Sequence, residues 1–551
     1  MSKKRQVIIG LAVVGALYVG YAILGKNPQQ EQFDKVGLSK DIVRLDQNWS
    51  EDIRQQFNFT TFGSRLMPYE WFLNIEVEGS EQKLRSDEVL GHLGCILQDI
   101  ARNNPEGLPV GFAVDDREET KWVGLTCAAC HAGEITYQDQ KIYIDGGPGL
   151  MDFTGFEQTV YGALKSTYED TAKFDRFAAA LKQSSPEDKT ELKETLQSRV
   201  DFFRLRLEAN ATEVPYGYGR VDAFGQIFNA IAVEAMDIPS NRHVPDGPVS
   251  IPVLWDASHL DLVQWNASAA NSEPGPLGQN ATTALAVYGQ IDMPGSKWFG
   301  YSSTIAFRNL GYIQTKLYEL TSPVWPEQIL GEIDKTKAAA GKKLYEQNCA
   351  SCHTVIDRAD PTRKLKAGAI PLEQIGTDPK MVENFVNAKA KTGPLEGRKS
   401  KYIVGEPFPA EVATFDMVLQ ATLGSMIRHP LQAVSAVLNE KRDVYTSEPF
   451  LKEKVYKARP LNGMWAAAPY LHNGSVPTLY DLLLPATERP VSFYVGNKEL
   501  DPVKVGFVTE QGEHSNLFDT TLLGNSNSGH EFGAALTEEE RWALVEYLKT
   551  L

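Results

Sequence analysis

At 551 residues the chain is long enough for two or more apolar cores. Hydrophobic residues make up 42% and charged residues 23%, a globular composition that excludes extensive disorder. A formal net charge of −16 repels phosphate backbones and attracts basic surfaces, so nucleic acid is not an expected partner.

The chain opens on Lys3, Lys4 and Arg5, followed by an uncharged run from Val7 to Leu24. Cations before an apolar stretch, at the short end of the roughly 17–25 residues that span a bilayer, mark a secretory start. Gly20-Tyr21-Ala22 is a weak cleavage site, because Tyr21, Ile23 and Leu24 prolong the apolar run past it. The expectation is an uncleaved anchor over residues 1–26. The cations then stay in the cytoplasm and the rest of the chain lies on the periplasmic side of the inner membrane, or free in the periplasm if the segment is cleaved.

Five cysteines stand at 95, 127, 130, 349 and 352. Four of them repeat one pattern, Cys127-Ala128-Ala129-Cys130-His131 and Cys349-Ala350-Ser351-Cys352-His353. A lone Cys-x-x-Cys serves thiol exchange or half of a zinc site, but here a His follows the second Cys in both copies. Two thiols at this spacing add across the two vinyl groups of one haem, and the adjacent His lies under the iron. The expected cofactors are therefore two covalently bound haem c groups, with His131 and His353 as proximal ligands. Cys95, within Gly94-Cys95-Ile96-Leu97, reads as a small buried hydrophobe.

After His131, residues 134–137 and 141–145 read as a hairpin ended by Gly146-Gly147-Pro148-Gly149. Helical patterns follow over 156–181 and 186–207, and residues 215–265 are rich in Gly, Pro and aromatics, as loops lining a cofactor are. Ala338 to Tyr345 are helix formers leading into Cys349, while Thr537 and Glu540 form a capping box before Trp542, Val545 and Leu548 at helical spacing. A helix entering the haem motif and a helix at the C-terminus together resemble class I cytochromes c. The expected fold is mainly α: two cytochrome c-like haem domains, 27–330 and 331–551, with long loop-rich insertions and few short strands.

Further stretches carry a more specific resemblance. They are Gly219-Arg220-Val221-Asp222-Ala223-Phe224-Gly225, Pro252 to Asp256, Gln264-Trp265-Asn266, Arg459-Pro460-Leu461-Asn462-Gly463, Ala468 to Leu479, and Gly524 to Gly533. In this order, from about residue 90 to the C-terminus, they are similar to the di-haem cytochrome c peroxidase superfamily, and within it to the rubber-oxygenase-like di-haem cytochromes. The Ala468-Pro469-Tyr470 block resembles the whole superfamily, whereas the His530 block and the long separation of the two haem motifs resemble the oxygenase-like branch.

The resemblance implies that His530 is the distal ligand of the second haem, with His472, Met464 and His429 as alternatives. It also implies that His131 is the sole protein ligand of the first haem, whose open face lies in an apolar oxygen pocket. Ala223, Phe224, Ile227, Phe228 and Ile231 are candidates for its wall, although their spacing equally suits plain helical core. Trp255 and Trp265 have the size to bridge two haems, or simply to pack. His243 or His259 beside the first iron would instead serve peroxidase-like acid/base work.

Three functions follow from these readings. The first is an oxygenase inserting O2 into an unsaturated, small hydrophobic substrate at the first haem. The second is a peroxidase reducing H2O2, and the third is electron transfer alone. A redox partner protein, contact with the membrane through the N-terminal helix, and a calcium ion as an additional cofactor complete the expectations.

Overall fold

The computed structural model describes residues 42–100, 104–272, 275–293, 300–401, 404–443 and 445–551. Side-chain caps set many of its helix ends. The terminal helix Glu538–Lys549 starts on the expected reciprocal pair: the Glu540 N–H donates to Thr537 Oγ1 at 3.3 Å, and the Thr537 N–H donates to the Glu540 carboxylate at 2.8 Å. Helix Lys335–Asn348, capped by the Asp334 carboxylate, runs straight into Cys349 and packs on the terminal helix. Their backbones nearly touch at Gly341, where an added Cβ would stand 2.0 Å from the Ala543 carbonyl oxygen. The rings of Tyr345 and Tyr547 close the same seam edge to face at 5.2 Å.

In the N-terminal half, the hairpin forms from Ala132–Tyr137 and Gln140–Asp145, and Ile42–Arg44 adds a parallel edge strand. Asp145 at its end is buried in an ion pair with Arg54 at 2.7 Å. The helical pattern over 156–181 resolves into two helices, Phe153–Glu169 and Thr171–Ala180. Between them Asp170 leaves the helical conformation and its side chain caps the Lys173 N–H. Helix Pro186–Ala209 begins on a Ser185 capping box with proline at its first position. Within residues 215–265, helix Ala223–Asn229 passes directly into a π-helical turn, Ala230–Ala235, amid short strand pairs.

Strands are more numerous than expected. Among the described residues there are twenty, each two to six residues long, in nine sheets of two or three strands. Helix still leads, at 40% against 15% strand. Segments this short clamp loops together and carry too few residues to display an alternating pattern.

One apolar cluster joins Tyr143, Trp255, Ile313, Tyr345, Trp465 and Leu544, and so runs across residue 330. A second gathers Phe72, Phe112, Phe156 and Phe203 around the N-terminal helices, and a third gathers Phe228, Ile231, Phe307 and Met417.

The membrane expectation is corrected. Among the described residues no helix is long and apolar enough to cross a membrane. The 24-residue helix Pro186–Ala209 has the length, but it is rich in charged residues. Residues 1–26, on which the expected uncleaved anchor and its periplasmic placement rested, lie outside the described residues.

Replacing Gly341 by Val drives branched carbons into the Ala543 backbone. The expected cost is about 3 kcal/mol or more, read as a lower denaturant midpoint; an unchanged midpoint would mean that the two helices do not meet at this point.

Candidate haem centres

The first motif lies on a single helical turn, Cys127–Cys130, capped by Thr126, whose hydroxyl accepts the Ala128 N–H at 3.3 Å. Cys127 and Cys130 are free and half-buried, and burial pushes their thiols up to about 12 and about 11. His131 follows with its Nδ1 2.9 Å from the Pro252 carbonyl oxygen. A carbonyl only accepts, so Nδ1 carries the proton and Nε2 keeps its lone pair. Burial lowers the His131 pKa to about 4, which keeps the ring neutral at pH 7, the form that binds a metal.

The second motif repeats this construction. The His353 Nδ1 stands 2.7 Å from the Arg459 carbonyl oxygen, and the His353 carbonyl accepts the Tyr345 hydroxyl at 2.6 Å. Here a second imidazole is present: the His353 and His530 rings have centroids 6.1 Å apart. Two imidazoles bound on opposite sides of one metal, at about 2 Å each, have ring centres about 6 Å apart. His530 is held at φ +51° by its N–H to the Ile375 carbonyl and by Arg489 on its own carbonyl. Burial first, then the nearby His353, lowers its pKa to about 4. Its Nδ1 is buried without a hydrogen-bond partner.

A single segment connects the two motifs. Pro252 receives the His131 hydrogen bond, and the next carbonyls, of Val253 and Trp255, accept the two terminal nitrogens of Arg459 at 3.0 and 2.7 Å. The carbonyl of that same Arg459 receives the His353 hydrogen bond. The Arg459 Nε is buried and unpartnered.

The remaining candidates fall into distinct places. Trp255 is fully buried, its indole N–H donating to the Asn462 carbonyl at 2.9 Å, while Trp265 donates to Ser250 at 3.0 Å. Ile227, Phe228 and Ile231 share a cluster against which Cys127 and Phe224 pack. A surface pocket of about 320 Å³ opens beside Phe224 and Phe228, with His243, Asp246 and Lys380 on its rim. His259 is fully buried between Asp443 and the Tyr318 carbonyl, while His243 packs on Phe228 and its Nε2 pairs with the Thr414 hydroxyl at 2.9 Å. His472 packs on Tyr456 and His429 on Phe307, and neither is in ring contact with His353. Met464 packs on the shared apolar core. Cys95 is buried, as expected of a small hydrophobe.

One group escapes sequence reasoning. Glu157, Arg206 and Tyr288 are buried together: the Arg206 Nε donates to Glu157 at 2.6 Å and the Tyr288 hydroxyl at 3.0 Å, with Glu234 on the far side of the guanidinium. Tyr288 belongs to the apolar cluster against which Ala129 of the first motif packs. Glu157 and Arg206 lie on two different helices and Tyr288 in the turn after helix Gly275–Ala286, so they form no linear motif and only their joint burial reveals them. Among the described residues no group of three or more His, Cys, Asp or Glu is arranged to hold a metal ion, and calcium is not carried further.

Free thiol pairs, neutral imidazoles tethered through Nδ1, and buried unpartnered nitrogens on His530 and Arg459 are what a haem-binding chain should present, and the residues fit that group. The comparisons agree. The family described as "RoxA-like, cytochrome c-like" matches residues 455–494, and the family described as "Cytochrome c" matches residues 338–402. Over its whole length the chain is 30% identical to the "Uncharacterized protein y4iJ" of Sinorhizobium fredii, covering 99% of that protein. The chain belongs to that protein's family. The "Uncharacterized protein y4iM" of the same organism is 26% identical over 62% of this chain and 73% of its own length. Within this family, then, the chain carries cytochrome c-like sequence, which implies covalently bound haem c and supports haem-based electron transfer or oxidoreductase chemistry.

Acid is expected to destabilise the protein. His131, His472 and His530 fall to about 4, about 3 and about 4 through burial, whereas unfolded imidazoles titrate near 6.5. The stability tied to their neutral forms is fully present above about 6.5 and is lost as pH falls toward about 4. Asp222, raised to about 6 by burial, and Asp145, Asp152, Glu234 and Asp378, also raised by burial, oppose this, while the lowered His243, His259, His353 and His429 and the lowered Glu51, Glu76 and Asp115 add to it. The thermal midpoint should therefore drop on acidification from about pH 7 to about pH 4.5; a midpoint that rises would contradict these environments.

Proposed function

We propose that the chain is a two-haem c-type cytochrome oxidoreductase with divided labour: Cys127, Cys130 and His131 hold the reactive haem, and Cys349, Cys352, His353 and His530 hold the electron-transferring one. The observation that carries this reading is an asymmetry. An imidazole stands opposite His353, while among the described residues no imidazole is in ring contact with His131. When bound, a haem with an open face takes up O2 or peroxide, and one with two protein ligands passes electrons.

The chain's own groups fit oxygenation of an unsaturated hydrophobic substrate best. The Pro252 carbonyl fixes the His131 ring and its tautomer. Ile227, Phe228 and Ile231 provide an apolar wall against which Cys127 and Phe224 pack. The pocket beside Phe224 and Phe228 is at the lower end of the volumes that enclose small ligands, roughly 300–1,000 Å³. His259 is held by Asp443 and Tyr318 away from this pocket, whereas His243 lines it beside Phe228 with its Nε2 paired to the Thr414 hydroxyl. One observation favours the alternative, H2O2 reduction: the buried Glu157, Arg206 and Tyr288 group, whose Tyr288 lies in the cluster on which Ala129 packs, supplies polar, proton-bearing side chains.

Pyridine haemochrome analysis should return two haems per chain, falling to one in a Cys127→Ala, Cys130→Ala variant. Electron paramagnetic resonance of the oxidised protein should resolve one high-spin and one low-spin signal, with His530→Ala converting the low-spin one. Two low-spin haems indifferent to O2 and to H2O2 would sink both catalytic readings. Consumption of an unsaturated lipid with O2, against consumption of H2O2 with a reductant, separates the two.

A further inference from the structure

The two proximal histidines are not held independently. Each donates its Nδ1 proton to a backbone carbonyl, and the residues supplying those carbonyls are tied to one another. From His131 the path runs through Pro252 to Val253 and Trp255. Their carbonyls accept both terminal nitrogens of Arg459, whose own carbonyl accepts from His353. A second tie runs parallel: the Trp255 indole donates to the Asn462 carbonyl, and the Asn462 side chain reaches the Ile356 carbonyl, three residues beyond His353, at 3.3 Å. Every link is short and buried or partly buried, and Arg459 itself is 8% exposed.

Arg459 also spends its charge unusually. A buried guanidinium normally pairs with a carboxylate, and Asp256, the acid nearest in this segment, is instead bonded to Arg363 at 2.7 Å. Arg459 therefore acts as a rigid fork spanning two carbonyls of the segment that orients His131. Its main chain orients the other histidine.

We propose that Arg459 is a positioning residue that couples the proximal side of the first haem to that of the second. This rests on the two-haem reading above. The strength of an Nδ1 hydrogen bond sets how much negative character the imidazole lends to its iron. Loss of the Arg459 side chain frees the carbonyls of Val253 and Trp255, loosens Pro252, and weakens the bond to His131. The Arg459 carbonyl, and with it the bond to His353, survives any side-chain substitution. The proposal thus makes an unusual demand: changing a residue whose backbone touches His353 must disturb the haem on His131.

The test is Arg459→Gln in the haem-loaded full chain. Resonance Raman of the reduced protein reads the iron–histidine stretch, a band given by a five-coordinate haem and silent for a bis-histidine one. It should move to lower frequency in the variant. The electron paramagnetic resonance signals of both oxidised haems, measurable in any coordination state, form the second readout: the first haem's signal should change more than the second's. Should Arg459→Gln fail to load haem, Arg459→Lys keeps the charge but cannot serve both carbonyls at once, and should shift the same readouts less far. A loaded variant in which only the second haem's signal changes, or neither does, overturns the coupling. If the wild type lacks the stretching band, the five-coordinate reading fails instead, and the coupling is judged on the resonance signals alone.

Discussion

The constraint on which the rest of the structure depends is the pair of backbone carbonyls facing the Nδ1 atoms of His131 and His353. A histidine ring in a cavity can rotate and exchange tautomers; a fixed carbonyl at hydrogen-bond distance removes both freedoms and leaves Nε2 free. Placing those carbonyls is the task of segments far from the motifs in sequence. Residues 252–255 and 459–462 run beside each other because Arg459 and Trp255 bond across them. The buried Trp255 and Trp465 in the shared core keep that junction dry, so the electrostatic contacts there are little screened by solvent.

Around this junction the two motifs are given different surroundings. The second has a helix pair pressed together at Gly341, a cap at each helix start, and a second imidazole brought into ring contact with His353 by the loop before the terminal helix. His530 reaches its place only because the chain turns through left-handed backbone at Gly529 and His530, with Arg489 gathering the carbonyls of Asn527, Gly529 and His530. The first motif is flanked instead by apolar helix and a π-helical turn on one side and by a buried charged group on another. Apolar walls favour O2 and hydrocarbon, whereas buried carboxylate and guanidinium favour proton transfer; the chemistry of the site turns on which of these faces the reacting atoms.

Much of the local structure was legible because it rests on short-range rules. The Thr537 and Glu540 box, the 134–145 hairpin and the helix before Cys349 appear where their residues call for them. The helical pattern over 156–181 is split in two, since Asp170 caps Lys173 rather than sitting inside a helix, a choice that periodicity alone does not reveal. The many two- to six-residue strands were invisible for a similar reason: they exist to pair loops distant in sequence, as Gly368–Pro371 does with Val455–Ala458.

What short-range rules make legible is the pair of motifs that would attach haem. Two thiols and a histidine in five residues are a covalent specification that needs no fold to be read, and the caps and helix formers around them act within a few residues. What surrounds each histidine follows from packing instead: Pro252 and Arg459 supply the carbonyl partners, the His530 ring comes into contact with His353, His259 pairs with Asp443, and Glu157, Arg206 and Tyr288 are buried together. These contacts join residues scores to hundreds of positions apart. Their energies depend on burial and on which carbonyl happens to face which donor, and those are properties of the packed chain rather than of any stretch of it.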